Sequence, residues 1–357
     1  MSKGKIALFW DESFLWGLLA YQAFSTLPID FDIVTSAEIN KGILDSYDLL
    51  FVPGGWARDK SNALGIEGRE RIQSFIRKGG GYIGVCGGAG LALASSEGLA
   101  LVPAIRKPSG ERMPNFSGRI KIIPSNAKHP IWEGLSEPVS FHAWWPGQFS
   151  LNHNEDITII AVYGKPEAGF FVSDLAVEDI ENYCGVWNKW EKRYGISLNP
   201  DKLEGEPAII EAGYGKGKVF LSYLHLDTPD DNQGNRALFN ICGHLVKRQG
   251  EKVRADQPGG HLLPLRLLHA GIDHKVVELA RDLEAAAEKL IAFGERNFLW
   301  YRRNPWMLQW RRGIRGFEYG MVYKMLKWLS IMTAEMKKTG GKSPNLQSDI
   351  GETLTKK

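Results

Sequence analysis

Residues 79–90 read Gly-Gly-Gly-Tyr-Ile-Gly-Val-Cys-Gly-Gly-Ala-Gly, and few backbones accept such a run. Tyr82-Ile83-Gly84-Val85 is a short apolar segment of the kind buried on both faces of a parallel sheet. Cys86 follows. Gly87-Gly88-Ala89-Gly90 then leads into the small-residue run 91–96, which predicts a helix. A strand that turns sharply into a helix around one cysteine is a nucleophile elbow. Its neighbours must be small, because the turning residue holds a strained backbone and side chains beside it would collide. The helix points its N-terminus at the sulfur, and its partial positive charge favours thiolate. Plainer readings stand beside this one: a cysteine as a small apolar filler, or a glycine turn that cradles a phosphate.

Strands and helices alternate with short connections around the elbow. Strands are predicted over 5–10, 31–34, 48–52 and 82–85. Helices are predicted over 14–24, from Ser36, and over 65–78, where Ile66, Ile72, Phe75 and Ile76 keep helical spacing and Gly79 is a natural stop. This order argues for a parallel sheet covered on both faces, with ligands at the carboxyl ends of the strands. Pro53-Gly54-Gly55 and Cys86 both fall at such ends. Further strands are predicted over 119–123 and 157–162, with an aromatic loop, Ser140 to Gly147, between them. Residues 175–194 read as charged and helical, and 208–212 with 218–223 as a hairpin. Residues 235–248 read as an amphipathic helix.

The expected fold is α/β: a flavodoxin-like, doubly wound, mostly parallel sheet with a nucleophile elbow, and a helical C-terminal appendage. The expected organisation is one domain over 1–249, a linker over 250–274, a helical segment over 275–337 and a disordered tail over 338–357. In the helical segment Val276, Leu279, Leu283, Leu290 and Phe293 form one stripe, and Met321, Val322, Met325, Trp328, Leu329 and Met332 another. Asn304-Pro305 reads as a helix cap followed by proline at the first helical position.

The chain has 357 residues, enough for two domains, and its net charge of +3 selects no class of partner. Its three cysteines, Cys86, Cys184 and Cys242, are odd in number and widely spaced. They fit free thiols in a reducing compartment, without a disulfide framework or a CxxC metal pattern. The first residues resemble neither a signal peptide nor a membrane span, so a cytoplasmic location is expected. No cofactor and no metal are expected.

A cysteine nucleophile needs a base, and the base needs an orienting partner. His225 and Asp227 lie two apart at the end of a predicted strand, so both leave one face. They could equally be a strand-end histidine and a turn-capping acid. His142, in the aromatic loop, is the rival base. The backbone N–H groups of Gly87 and Gly55 could hold an oxyanion. Gly54, Trp56 and His142 complete the ligand-side residues.

A strand ending in Pro53-Gly54-Gly55, a helix, then Gly79-Gly80-Gly81-Tyr82-Ile83-Gly84-Val85-Cys86-Gly87-Gly88-Ala89, and a late Gly-Lys-Gly-Lys-Val-Phe-Leu-Ser run into His225-Leu226-Asp227 resembles the class I glutamine amidotransferase-like superfamily. Within it the pattern is most similar to the N-terminal domain of biotin–protein ligases, over about residues 5–248. The resemblance implies Cys86 as nucleophile, His225 as base, Asp227 in place of the more usual glutamate, and Gly55 and Gly87 as oxyanion donors. Gly90 stands where glutaminases carry glutamine, so true glutaminase activity is not expected. The C-terminal part is short, reads as helical and lacks a Gly-Arg-Gly-Arg type loop, so biotin transfer is not expected of it.

Two function classes therefore stand. One is a Cys-dependent hydrolase or amide-acting enzyme that passes through a thioester on Cys86 and takes a small-molecule or peptide-like amide. The other is a catalytically silent binding module on the same scaffold. The C-terminal helices are expected to serve a homo-oligomer or a partner. Their mixture of arginine and tryptophan also admits a membrane surface or nucleic acid as secondary readings.

Overall fold

The computed structural model describes residues 5–151, 156–180, 185–246, 273–310 and 315–339. They divide into two compact units, one within residues 1–259 and one within 260–357.

The first unit opens with β1 (Ile6–Phe9), α1 (Phe14–Thr26), β2 (Phe31–Val34), α2 (Ser36–Asn40), β3 (Leu49–Val52), α3 (Ala57–Arg77), β4 (Gly81–Val85) and α4 (Gly87–Ala92). It continues with β5 (Ala104–Arg106), β6 (Phe116–Pro124), β7 (Ser140–Trp144), β8 (Phe149–Leu151), β9 (Ile157–Pro166), β10 (Phe171–Val172) and β11 (Leu175–Ala176). It closes with α5 (Val177–Ile180), α6 (Val186–Tyr194), β12 (Pro207–Tyr214), β13 (Gly217–Ser222) and α7 (Asn232–Val246). One eleven-stranded sheet runs β11-β10-β6-β9-β12-β13-β4-β3-β1-β2, with β7 joined to β6. From β2 to β13 the strands are parallel. Beyond β13 every pairing is antiparallel. The sheet is thus α/β but mixed, more so than the alternation in the first 90 residues predicts.

The parallel half is buried on both faces, and the period of two along each strand sorts its side chains. Ile6, Leu8, Leu49, Phe51, Ile83 and Val85 join a core closed by Ala20, Ala23 and Phe24 of α1 and Leu238 and Ile241 of α7. Ala7, Phe9, Leu50, Val52 and Tyr82 join the opposite core, closed by Ile39 of α2 and Leu64, Ile72 and Ile76 of α3. Burying a Leu, Ile or Phe side chain stabilises by about 1.5–3 kcal/mol, so the helices are held to both faces by many such contacts.

Several local expectations change. Helix α4 starts directly at Gly87 and ends at Ala92, because Leu93 leaves it to bridge Val102; residues 93–96 are not helical. Helix α3 begins at Ala57, with non-helical backbone at Gly65 (φ 64°), so the expected start at Gly65 is only a break within it. Its first turns bury Lys60 and Ser61, polar residues that hide the helical pattern. The aromatic loop is in part strand β7, in register with β6 through Arg119↔His142 and Gly118↔Ala143. Within 175–194, strand β11 precedes the two short helices α5 and α6.

The second unit consists of α8 (His274–Arg296), β14 (Trp300–Asn304), β15 (Met307–Trp310) and α9 (Arg315–Thr339). The helical segment expected over 275–337 is therefore interrupted by an antiparallel hairpin. Asn304-Pro305 is its turn, not a helix start: Asn304 Oδ1 accepts from the Trp306 N–H at 2.8 Å. Ile291, Trp300 and Leu308 pack together inside this unit. Among the described residues no helix is long and apolar enough to cross a membrane. The expected linker lies largely outside the described residues, and the expected tail lies there apart from its first two residues; so does Cys184.

Candidate active site

Cys86 follows β4 directly and has φ 50° and ψ −103°, left-handed backbone that a side chain rarely accepts. Its N–H donates to the Ser222 carbonyl of β13 at 2.8 Å, and its carbonyl accepts from the Gly90 N–H at 3.0 Å. The cysteine is thus fixed between strand and helix with its side chain half-buried. A Cβ on Gly87 would stand 1.7 Å from the Gly55 carbonyl oxygen. Only glycine allows this approach, and it brings the loop after β3 against the elbow. Gly55 has φ 110°, and a Cβ there would meet the Glu12 carbonyl oxygen at 2.5 Å. Trp56 caps the start of α3 and is 68% exposed.

Strand β13 ends at Ser222, so His225 and Asp227 sit in the turn beyond it and not on a strand face. They still meet: His225 Nδ1 lies 2.9 Å from Asp227 Oδ1, and both side chains are sealed from solvent. The Thr228 N–H donates to the His225 carbonyl at 3.2 Å and tightens that turn. Trp16 of α1 stacks on the His225 ring, centroids 4.4 Å apart. The same indole fills the space over Gly54, where a Cβ would come within 2.7 Å of it. Burial works to lower the pKa of His225, but the charge and hydrogen bond of Asp227, helped by Cys86, raise it to about 9. Cys86 is thus near enough to be felt by the imidazole. Nε2 nevertheless has no hydrogen-bond partner among the described residues, nor has Asp227 Oδ2. The thiol–imidazole bond is not closed in this structure.

His142, on β7, belongs to a second pair: its Nδ1 lies 2.8 Å from Asp231 Oδ2, whose other oxygen accepts from Arg119 at 3.2 Å. Burial opposes the charge of Asp231, yet His142 and Arg119 hold its carboxyl below the usual range. The two pairs adjoin, since the His225 N–H donates to the His142 carbonyl at 2.8 Å. Aromatic rings run from one to the other, His142–Trp144–Trp145–Trp16–His225, with centroid spacings of 5.2, 6.0, 6.3 and 4.4 Å. Trp16, Asp231 and the buried Lys60 carry no motif. The aromatic density of α1 and the lysine on the core face of α3 are the signals that could have marked the first and the last.

A third cluster lies apart from the elbow. His129, Glu211 and His244 bring ligand-type atoms within 4.8 Å of one another. The Ile131 N–H donates to His129 Nδ1 at 3.3 Å, which leaves the ring proton on Nε2, facing Glu211 at 3.5 Å. Lys218 Nζ lies 3.3 Å from Glu211 and 3.2 Å from His244 Nε2. A metal would have to displace that ammonium and reverse the tautomer, so the donor set fits an ion-pair cluster better than a metal. The two histidines and Lys218 hold the Glu211 carboxyl well below its usual range against the effect of burial. Cys242, in α7, is sealed in the core, and burial pushes its thiol far up.

The family described as "Biotin-protein ligase, N terminal" matches residues 34–97, a stretch that holds Pro53-Gly54-Gly55 and the whole elbow. No curated protein sequence matches the chain. Among solved structures, a ThuA-like protein from Bacteroides uniformis is 14% identical, covering 69% of this chain and 93% of that one, with a TM-score of 0.44. A GMP synthase-type protein from Thermoplasma acidophilum is 16% identical, covering 69% and 95%, with a TM-score of 0.40. A β-galactosidase from Rahnella sp. R3 is 15% identical, covering 68% of this chain but 31% of that one, with a TM-score of 0.41. The family-level likeness is thus confined to residues 34–97, and it is to the N-terminal part of biotin–protein ligases.

Proposed function

We propose that the chain is a Cys-dependent enzyme acting on amide-type acyl compounds, on a flavodoxin-like version of the amidotransferase-like scaffold. The strand order β2-β1-β3-β4-β13 supports the fold part of this reading. The observation that carries the chemistry is the sealed His225–Asp227 pair at the same end of the sheet as a half-exposed cysteine in left-handed backbone. In this reading the Cys86 sulfur attacks the acyl carbon, and the new C–S bond places the carbonyl electron pair on oxygen beside Gly87 and Gly55. Collapse expels the amine, which takes its proton from His225. Water then attacks the thioester, giving its proton to His225 and releasing Cys86. A histidine with a pKa near 9 is protonated at neutral pH and so is suited first to the acid role. The substrate would be a small-molecule or peptide-like amide, met in the cytoplasm, and self-association would run through the C-terminal helices.

The silent binding module remains the second reading, favoured by the open Nε2 of His225 and by Gly90 in the glutamine position. Alkylation with iodoacetamide, read peptide by peptide, separates the two. The enzyme reading expects Cys86 to react ahead of Cys184 and Cys242, and expects Asp227→Asn to slow it. An inert Cys86 in the folded protein would hand the case to the binding module. No ammonia is expected from glutamine in either reading.

A further inference from the structure

Lys60 has no part in the scheme above, yet it is wholly buried in the first turn of α3. Its Nζ donates to the carbonyl oxygens of Glu12 at 3.0 Å and Asp11 at 3.5 Å, and to Ser13 Oγ. The Ser13 hydroxyl spends its own proton on the Asp11 carbonyl. Three acceptors around one nitrogen match the three protons of an ammonium. All three belong to the turn after β1. On its other side Nζ lies 3.4 Å from the place of a Cβ on Gly55, the glycine whose carbonyl meets Gly87 beside Cys86. No carboxylate stands within ion-pair distance of it among the described residues. A buried ammonium held only by neutral oxygens is poorly compensated, and it would gain from an anion nearby.

We propose that Lys60 is a positioning residue of the Cys86 centre: its ammonium ties the Glu12 turn to the Gly54–Gly55 loop and is the counter-charge to a Cys86 thiolate. The inference rests on the reading of Cys86 as nucleophile. Burial lowers the pKa of Lys60 to about 7, opposed by the charges of Glu12, Asp11 and Cys86. The other titratable groups that act on the thiol or on these neighbours are His225 with Asp227, and Tyr163 and Tyr223 with Arg106, Arg112 and Glu206. Burial pushes both tyrosines well up, so they stay neutral while Lys60 and His225 titrate.

The test is the pH profile of Cys86 alkylation in the full chain, from about pH 5 to about pH 10, for the native protein and Lys60→Met. Loss of the counter-charge is expected to move the midpoint up by about one pH unit, which slows alkylation on the acid side on the order of tenfold. A folded Lys60→Met protein with the native midpoint overturns the proposal. Coupling is reciprocal, so a second measurement covers the case in which that variant does not fold. The Lys60 titration, followed by NMR of 13C-labelled lysine, should move to lower pH in Cys86→Ala, and an unmoved titration overturns the proposal equally. A native Cys86 that alkylates like an ordinary exposed thiol at every pH would instead bring down the nucleophile reading, and this inference with it.

Discussion

His225 carries its proton further up the pH scale than a free imidazole does, and that has a sign for stability. The folded value is raised to about 9, from an unfolded value of about 6.5. The stabilisation is fully present below about pH 6.5 and is lost as pH rises through about 9. The melting temperature should therefore fall between those limits, and His225→Gln should remove that part of the slope; identical slopes in the two proteins would show that the Asp227 charge does not hold the proton. Much of this site was legible because its chemistry is local: Cys86, His225 and Asp227 stand in short runs that carry their own geometry. Lys60 and Trp16 were not, because what they touch comes from segments far away along the chain, the turn after β1 and the turn after β13.

The elbow has a measurable cost as an element. A non-glycine residue at φ 50° stores about 1–3 kcal/mol, against which glycine loses roughly 0.5–1 kcal/mol in chain entropy. Cys86→Gly should thus gain about 1 kcal/mol and melt roughly 2–4 °C higher in differential scanning calorimetry. Gly87→Ala should do the opposite, since its Cβ would fall 1.7 Å from the Gly55 oxygen and force two loops apart. Overpacking of that kind costs about 1–3 kcal/mol, and an unchanged melting point would show that the loops separate freely. The elements around the elbow were readable because α1, β3 and β4 each bury a continuous local pattern. Strand β7 was not, because its pairing with β6 bridges a long intervening segment, although its aromatic density is itself a strand signal. In the C-terminal hairpin Arg302, Arg303, Met307 and Leu308 favour helix by composition, while Trp300, Tyr301, Trp310 and the Asn304-Pro305 turn chemistry argue otherwise.

At the scale of the whole molecule, both units have cores and both expose some large apolar side chains, but the second is far smaller and leaves Leu290 and Phe293 on α8 and Val322 and Ile331 on α9 exposed. Exposed apolar side chains in that number want a cover. We expect the full chain to sediment as more than one copy, and a chain ending at Val246 to sediment as one copy and keep its Cys86 labelling. A full chain that runs as a single copy and pellets with anionic vesicles would favour a membrane surface. The sheet bears on the same question from another side. Its outermost strands are β2, of four residues, β11, of two, and β7, of five, which pairs with β6 alone. Rims so short offer few free backbone donors and acceptors to template another strand, which disfavours joining copies sheet to sheet. An assembly built by side chains should dissolve on substitution of single apolar residues in α8 or α9, with no cross-β order left behind.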